Sequence, residues 1–311
     1  MKHRGRLLLE ALIQRQLQQF HRLNPDTLWL GTYNESMLPA PGWLYLHHPE
    51  RMHRPVADPD WHWLRKKIYA ASQALAHHVG FKNAVPPDGH GKLTNSHWTQ
   101  QAYAAIGGSE TKVVYPPVPP FSIGQPWAQR QDRVVMLGRW AMNKGLLRAI
   151  EIVSKVRETG MPLTLAFAGF WHGPPEHRRL IETAAADKPW ITWHENCSRA
   201  ELMQLAGSSR YGLHAMDGEH FGIAVAELLT AGCITLVPQN GGPAEIVGDS
   251  RQTYATTREA VEKLTGIARS PELQAELHGR ARPQGLRFSP ENFSHALLAA
   301  LEITPPAVQS Q

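Results

Sequence analysis

At 311 residues and 34.7 kDa, with 42% apolar and 19% charged residues, the chain is long enough for about two domains and too apolar to be disordered. No apolar run approaches the ~20 residues that span a bilayer. Glu10, Gln14 and Arg15 interrupt the apolar block after Leu7–Leu9, against a signal peptide. Two cysteines, Cys197 and Cys233, exclude a disulfide scaffold and suit a cytoplasmic protein. The net charge of +5 lies in residues 1–124, which carry 13 Lys and Arg against 8 Asp and Glu, and 10 of the 17 histidines. Such a half suits an anionic partner (a membrane surface, a phosphorylated substrate, nucleic acid) or is simply a solvated basic face.

In chain order, a basic amphipathic helix is predicted at about 6–23, then strands TLWLGTY (27–33) and GWLYLHH (42–48). A helix follows from Trp61 to about Val79, a short strand near Lys92–Asn95, and a helix from Ser96. Four prolines in VVYPPVPPF (113–121) forbid helix and predict an extended linker, placing domains at 1–123 and 124–311. The second part has β-rich runs at 133–139, 163–169, 191–195, 211–216 and 233–239. Helical patterns at 144–159, 174–187, 199–206 and 222–231 alternate with them. Another helix starts at Pro243, and the tail is helical after Pro271. The last helix spans about 290–302, with a frayed TPPAVQSQ end. This alternation predicts an α/β protein with a Rossmann-like parallel sheet, which binds ligands outside the carboxyl ends of its strands.

Three clusters fall at that edge. Gly218-Glu219-His220-Phe221-Gly222, then Glu227, follow the 211–216 strand and open a helix whose free N–H groups attract an anion. Gly222 lets backbone approach a ligand, and Glu227 sits where it can accept ribose hydroxyls. The plainer reading is two carboxylates near a helix start. Gly138-Arg139 and Lys144-Gly145 bracket the first strand–helix turn. Arg can grip a phosphate in a fork and Lys adds a point charge, or both are ordinary surface cations. Asn240-Gly241-Gly242 exposes backbone N–H groups, or is a tight turn and nothing more.

The order Gly-Arg-x4-Lys-Gly, Glu-x7-Glu and Gly-Gly-Pro-x-Glu-Ile-Val resembles the donor half of retaining family 4 (group 1) glycosyltransferases of GT-B architecture. The resemblance covers about 113–303 and reaches back to TNSHWTQ (94–100) and WLYLHHP (43–49). EHFGI together with YPP is similar to the mannosyltransferases of lipid-linked N-glycan assembly. The resemblance implies two Rossmann-like domains facing a cleft. It implies a UDP- or GDP-linked nucleotide-sugar donor, a mannose- or glucose-type sugar, and no metal or other cofactor. Arg139 and Lys144 would neutralise the departing diphosphate. Glu219 would face the sugar, Glu227 the ribose, and His47 would close on the sugar from the first domain. Gly138, Phe221, Gly222, Asn240, Gly241 and Gly242 would line the donor with backbone, with His220 beside them. Glu195 and Asn196 belong to the expected base loop. Transfer would be front-face with retention, the leaving phosphate taking the acceptor proton. The acceptor would be a glycan, a lipid-linked species or a small molecule.

Family members open with a strand and a Gly-rich loop. Here nothing before Thr27 reads as a strand and no Gly-Gly occurs in residues 1–41, so the N-terminal domain is read as truncated. Two functions follow: an active glycosyltransferase, or a non-catalytic nucleotide-sugar-binding or partner subunit. No nucleic-acid-reading motif is present, so no nucleic-acid partner is expected. Lys2, Arg4, Arg6, Arg15 and Arg22 flank Leu7–Leu9, Leu12, Ile13, Leu17 and Phe20. The helix either touches an anionic membrane peripherally or packs on its own domain.

Overall fold

Short β-rich runs and amphipathic helices arrange into two parallel sheets, one in each of two compact units, Met1–Val114 with Leu298–Gln311 and Tyr115–Leu297. The computed structural model describes residues 2–32, 37–48, 67, 70, 71, 74–82 and 84–303.

In the first unit, helix α1 (Lys2–Leu23) is followed by β1 (Leu30–Gly31), β2 (Trp43–Leu46), β3 (Gly91–Thr94), α2 (His97–Ala105) and β4 (Lys112–Val113). The sheet order is β1-β2-β3-β4, every neighbouring pair parallel. Leu38, Leu44, Leu46 and Tyr103 form its core. Ser96 caps α2 by accepting from the Thr99 N–H, which fixes where that helix begins. The π-helical turn His77–Phe81 packs on α1. A side chain at Gly80 would begin 1.8 Å from the Ala11 carbonyl oxygen, so only glycine fits there.

The strand expected at 27–33 contracts to two residues. Trp29, just before it, still accepts from the Trp43 N–H (2.9 Å), with its ring edge-on to Phe20 and His21 of α1 at 6.1 Å. Tyr33 lies outside the described residues, as do 61–66 of the expected 61–79 helix and the tail 304–311. Residues 67, 70, 71 and 74–76 are helical.

The proline-rich stretch is not a free linker. Lys112 and Val113 pair with β3, while Val118 and Phe121 are buried in the second unit. The Val118 N–H donates to the Phe288 carbonyl (2.8 Å) and the Phe121 N–H to Thr230 Oγ1 (2.9 Å). The division therefore falls at 114/115 rather than 123/124. Residues 298–303 group with the first unit, where Lys112 Nζ donates to the Ala300 carbonyl (2.9 Å).

In the second unit, β5 (Gln131–Trp140), β6 (Thr164–Trp171), β7 (Ile191–Glu195), β8 (Ser209–Leu213), β9 (Ile234–Pro238) and β10 (Thr253–Tyr254) form a parallel sheet of order β10-β9-β8-β5-β6-β7. Between and after them lie α3 (Leu146–Glu158), α4 (Pro175–Ala185), α5 (Arg199–Gly207), α6 (Ile223–Thr230), α7 (Gly242–Val247), α8 (Thr257–Arg269), α9 (Pro271–Leu286) and α10 (Pro290–Ala300), whose end from Leu298 groups with the first unit. Val134 and Met136 of β5 pack with Ile150 and Val153 of α3. Val135 and Leu137 pack with Leu205 of α5 and Leu228 of α6, so helices cover both faces. Each such side chain contributes roughly 1.5–3 kcal/mol by leaving water. The strand expected at 211–216 starts two residues earlier and stops at Leu213, which releases His214–Asp217 into the loop at the carboxyl edge.

Candidate functional site

The carboxyl edge of the second sheet is built first by glycine. Gly138, with φ +126°, pairs with Gly169, which pairs with Glu195 at the end of β7. A Cβ on Gly169 would lie 1.8 Å from the Gly138 carbonyl oxygen, so no side chain fits there. Beyond Glu195, Asn196 adopts φ +56° and its N–H donates to the Gly169 carbonyl (2.7 Å), turning the expected base loop back onto the edge.

After β5 a single 3-10 turn, Met142–Lys144, ends at Gly145, whose φ is +76°. A Cβ on Gly145 would lie 2.3 Å from the Ala215 carbonyl oxygen, so the chain after β5 lies directly against the chain after β8. That approach delivers Lys144 Nζ to Glu219 Oε2 in an ion pair whose side chains are 18% and 16% exposed. Glu219 is held in turn by the third cluster. It forms a parallel bridge with Gly241, the Gly242 N–H donates to its carbonyl (2.8 Å), and the Gly218 N–H donates to the Asn240 carbonyl (2.9 Å). Three segments that are far apart in sequence thus meet at Glu219. Burial disfavours its charged form, but the hydrogen bond and charge of Lys144 outweigh burial and hold the carboxyl below its ordinary value.

Behind this pair lies His214, a residue the sequence reading assigned to a strand. Its Nε2 is 3.9 Å from Glu219 Oε2 and has no hydrogen-bond partner. Burial pushes its imidazole down to about 4, so it is neutral at pH 7. A histidine closing an otherwise apolar run (YGLHAM) was the signal available for it.

Gly222, with φ +108°, caps α6. The Phe221 ring is core, packed against Tyr115 and Phe288 (centroids 6.0 and 5.4 Å), so only its backbone can serve a ligand. His220 is buried beside it, its carbonyl 2.3 Å from where a Cβ on Gly242 would stand. Glu227 sits in α6 as expected, but it has a partner the sequence reading missed: Arg199 Nη1, at 2.9 Å. Arg199 also donates to the Pro119 carbonyl (2.7 Å) and lies over the Phe121 ring. A cation in the first turn of a helix, where the dipole disfavours it, was the sequence signal that it has a partner elsewhere. Burial raises the Glu227 carboxyl, and Arg199 opposes that rise.

The other two expected catalytic residues belong to other elements. Arg139 is exposed near the end of β5, opposite Phe170, and no ion pair joins it to Glu219. His47 follows β2 in the first unit, its ring edge-on to Tyr45 at 4.7 Å. Among the described residues there is no group of three or more His, Cys, Asp or Glu side chains placed to hold a metal ion.

Residues 122–283, which carry every element of this edge, match the profile of the family described as glycosyl transferases group 1. The chain belongs to that family. Among similar group 1 sequences is the Dictyostelium discoideum protein named GDP-Man:Man(3)GlcNAc(2)-PP-Dol alpha-1,2-mannosyltransferase. It is 25% identical over 230 residues, covering 66% of this chain and 46% of the relative. The chain thus spans about half the length of the curated relatives it matches. Among solved structures, a glycosyltransferase from Rickettsia africae matches with TM-score 0.66 at 13% identity, over 94% of this chain and 80% of that one. Anabaena HepE in complex with UDP and glucose matches with TM-score 0.60 at 16% identity, over 84% and 71%. At these identities the likeness is one of fold, the α/β GT-B architecture with parallel sheets.

Proposed function

We propose that this group 1 chain transfers a hexose, mannose in the first instance, from a GDP-linked donor to a lipid-linked glycan. One observation carries the reading: the Lys144–Glu219 pair seated on the Asn240–Gly242 turn at the strand ends. A cation beside a largely buried carboxylate, at the ends of parallel strands, suits the diphosphate and the sugar of a nucleotide-sugar donor. Lys144 and Arg139 offset the charge that develops on the leaving diphosphate, in place of a divalent ion. Glu219 orients the sugar hydroxyls, and Glu227 accepts from the ribose. Glu195 and Asn196 border the base. The transfer retains configuration, the leaving phosphate oxygen taking the acceptor hydroxyl proton on the face it departs from.

The relatives' names supply the choice of GDP-mannose and of a lipid-linked acceptor. Their shared length stops at about half, so donor and acceptor are both for experiment. The test is transfer of radiolabelled mannose from GDP-mannose to a lipid-linked oligosaccharide extract in the presence of EDTA, with UDP-glucose as the competing donor. Donor binding with no transfer or hydrolysis would favour the non-catalytic alternative. No binding of either nucleotide sugar would remove both readings.

A lipid-linked acceptor also calls for contact with a bilayer. Among the described residues no helix is long and apolar enough to cross a membrane. We infer peripheral contact through α1. Ala11 and Gln14 face the protein, whereas Leu9, Leu12, Ile13, Phe20 and Leu23 are exposed at helical spacing, with Arg15 and Arg22 exposed among them.

A further inference from the structure

We propose that His214 is a positioning residue, the alternative hydrogen-bond partner that receives Glu219 when Lys144 disengages from it. The inference rests on the proposed function only for the event that draws Lys144 away, the arrival of a diphosphate.

One carboxylate oxygen faces both groups. Glu219 Oε2 accepts from Lys144 Nζ and lies 3.9 Å from His214 Nε2. The imidazole nitrogen is buried and bonds to nothing, which is rare for a polar atom in a protein interior and calls for an explanation. It is not free to wander. The His214 N–H donates to the Leu236 carbonyl (2.9 Å), and its carbonyl accepts from the Tyr254 hydroxyl (2.6 Å), so β9 and β10 fix its backbone. A closing movement of about 1 Å would convert the 3.9 Å separation into a hydrogen bond.

The electrostatics set the direction. Glu219, Lys144 and Asp217 are the charged groups that act on His214, and His220 also acts on Glu219. The nearby carboxylate favours the tautomer with the proton on Nε2, which makes that nitrogen a donor. A diphosphate competes for the ammonium of Lys144 with more negative charge than one carboxylate. Glu219 is then left largely buried with its main counter-charge withdrawn, and a neutral N–H donor beside it keeps the carboxylate ionised and in place. A neutral partner holds the carboxylate without cancelling its charge, so Glu219 can still accept from sugar hydroxyls.

Two measurements test this on the full chain. In the 15N-histidine-labelled protein, long-range proton–nitrogen spectra should show the His214 Nε2 resonance shift toward a stronger hydrogen bond in Lys144→Met, without any ligand. The apparent pKa of His214 should rise, because the cation that lowers it has gone. An unchanged Nε2 resonance in folded Lys144→Met overturns the proposal. Saturating GDP should move the same resonance in the same direction in the wild type. If GDP binds and the resonance stays, the handover is overturned. If neither GDP nor UDP binds while Lys144→Met shows the shift, the partnership with Glu219 stands and the functional reading falls. In turnover, His214→Phe should lower kcat about tenfold with donor KM nearly unchanged, and His214→Gln, which keeps an N–H donor, should restore most of it. Equal losses in the two variants would leave His214 a packing residue and overturn the proposal.

Discussion

Lys144 and Glu219 pair across 75 residues of sequence, and neither reaches the other through its own strand. The meeting depends on Gly145 lying against the Ala215 carbonyl and on Gly241 bridging to Glu219. Removing the carboxylate while preserving shape therefore isolates its chemistry. Glu219→Gln is expected to fold normally and to lower turnover by roughly 100-fold or more, the loss typical of a group that meets the reacting sugar. Single-turnover sugar transfer checks it; a loss under threefold would remove Glu219 from the reacting centre.

The backbone under Lys144 should be equally intolerant. Gly145→Ala adds a Cβ at 2.3 Å from the Ala215 carbonyl to a residue at φ +76°. The left-handed backbone costs about 1–2 kcal/mol and the steric overlap adds to it. Chemical denaturation should show a loss of about 2 kcal/mol or more. Weaker GDP binding should accompany it, because Lys144 moves with the turn.

Buried His214 makes stability depend on pH. The unfolded histidine takes a proton near 6.5, the folded one only near 4, so between these values the unfolded state binds more protons. Stability therefore falls as pH drops from about 6.5 to about 4, by about 3 kcal/mol from this residue. His214→Phe should flatten urea-derived stability against pH in that window by close to one proton. A slope identical to wild type would contradict a neutral, buried imidazole.

Arg199 is expected to act on binding rather than on chemistry. Arg199→Ala deprives Glu227 of its partner, and burial then raises that carboxyl further. Donor KM should rise on the order of tenfold with kcat changed little, the pattern of lost uniform binding. If Glu227 holds the ribose as proposed, the acid limb of donor affinity should move to higher pH, since only the ionised carboxylate would accept from both hydroxyls. Initial rates across pH 4.5–8 would show both effects.

For α1, flotation with phosphatidylserine-containing vesicles should carry the wild-type chain and leave an Ile13→Glu, Phe20→Glu double variant behind. Both side chains are about half exposed and Phe20 gives up only its edge contact with the Trp29 ring, so circular dichroism should show the fold retained. Equal flotation of the two proteins would place the lipid contact elsewhere or nowhere.

Most of the second sheet was legible because each strand is a short apolar run between amphipathic helices; the 191–195 strand matches residue for residue. Glu219, Lys144 and Gly241 were legible as candidates from order and spacing. Their contact was not, because it hangs on main-chain approaches at Gly145 and Gly242 that no side-chain pattern encodes. His214 was missed because a strand read by hydropathy continues through it. Arg199 was missed because its partner Glu227 is 28 positions away. The first unit was less legible. Its strands are two to four residues long, below the length at which alternation becomes a pattern, and Trp29 packs on α1 as well as on the sheet. The prolines at 116–120 excluded helix correctly but said nothing of the buried berth that Val118 and Phe121 occupy.

Along the edge from Gly138 to Gly242, the close approaches are made by main chain, and side chains are excluded by neighbouring carbonyls at Gly145, Gly169 and Gly242. Such a surface offers point substitution little to work with: every residue larger than hydrogen at those places displaces backbone. A change of donor preference would therefore have to come through the side chains that border the edge, Glu195, Asn196 and Arg199 among them, or through loop length. The mutational freedom of this protein lies around this main-chain floor, not in it.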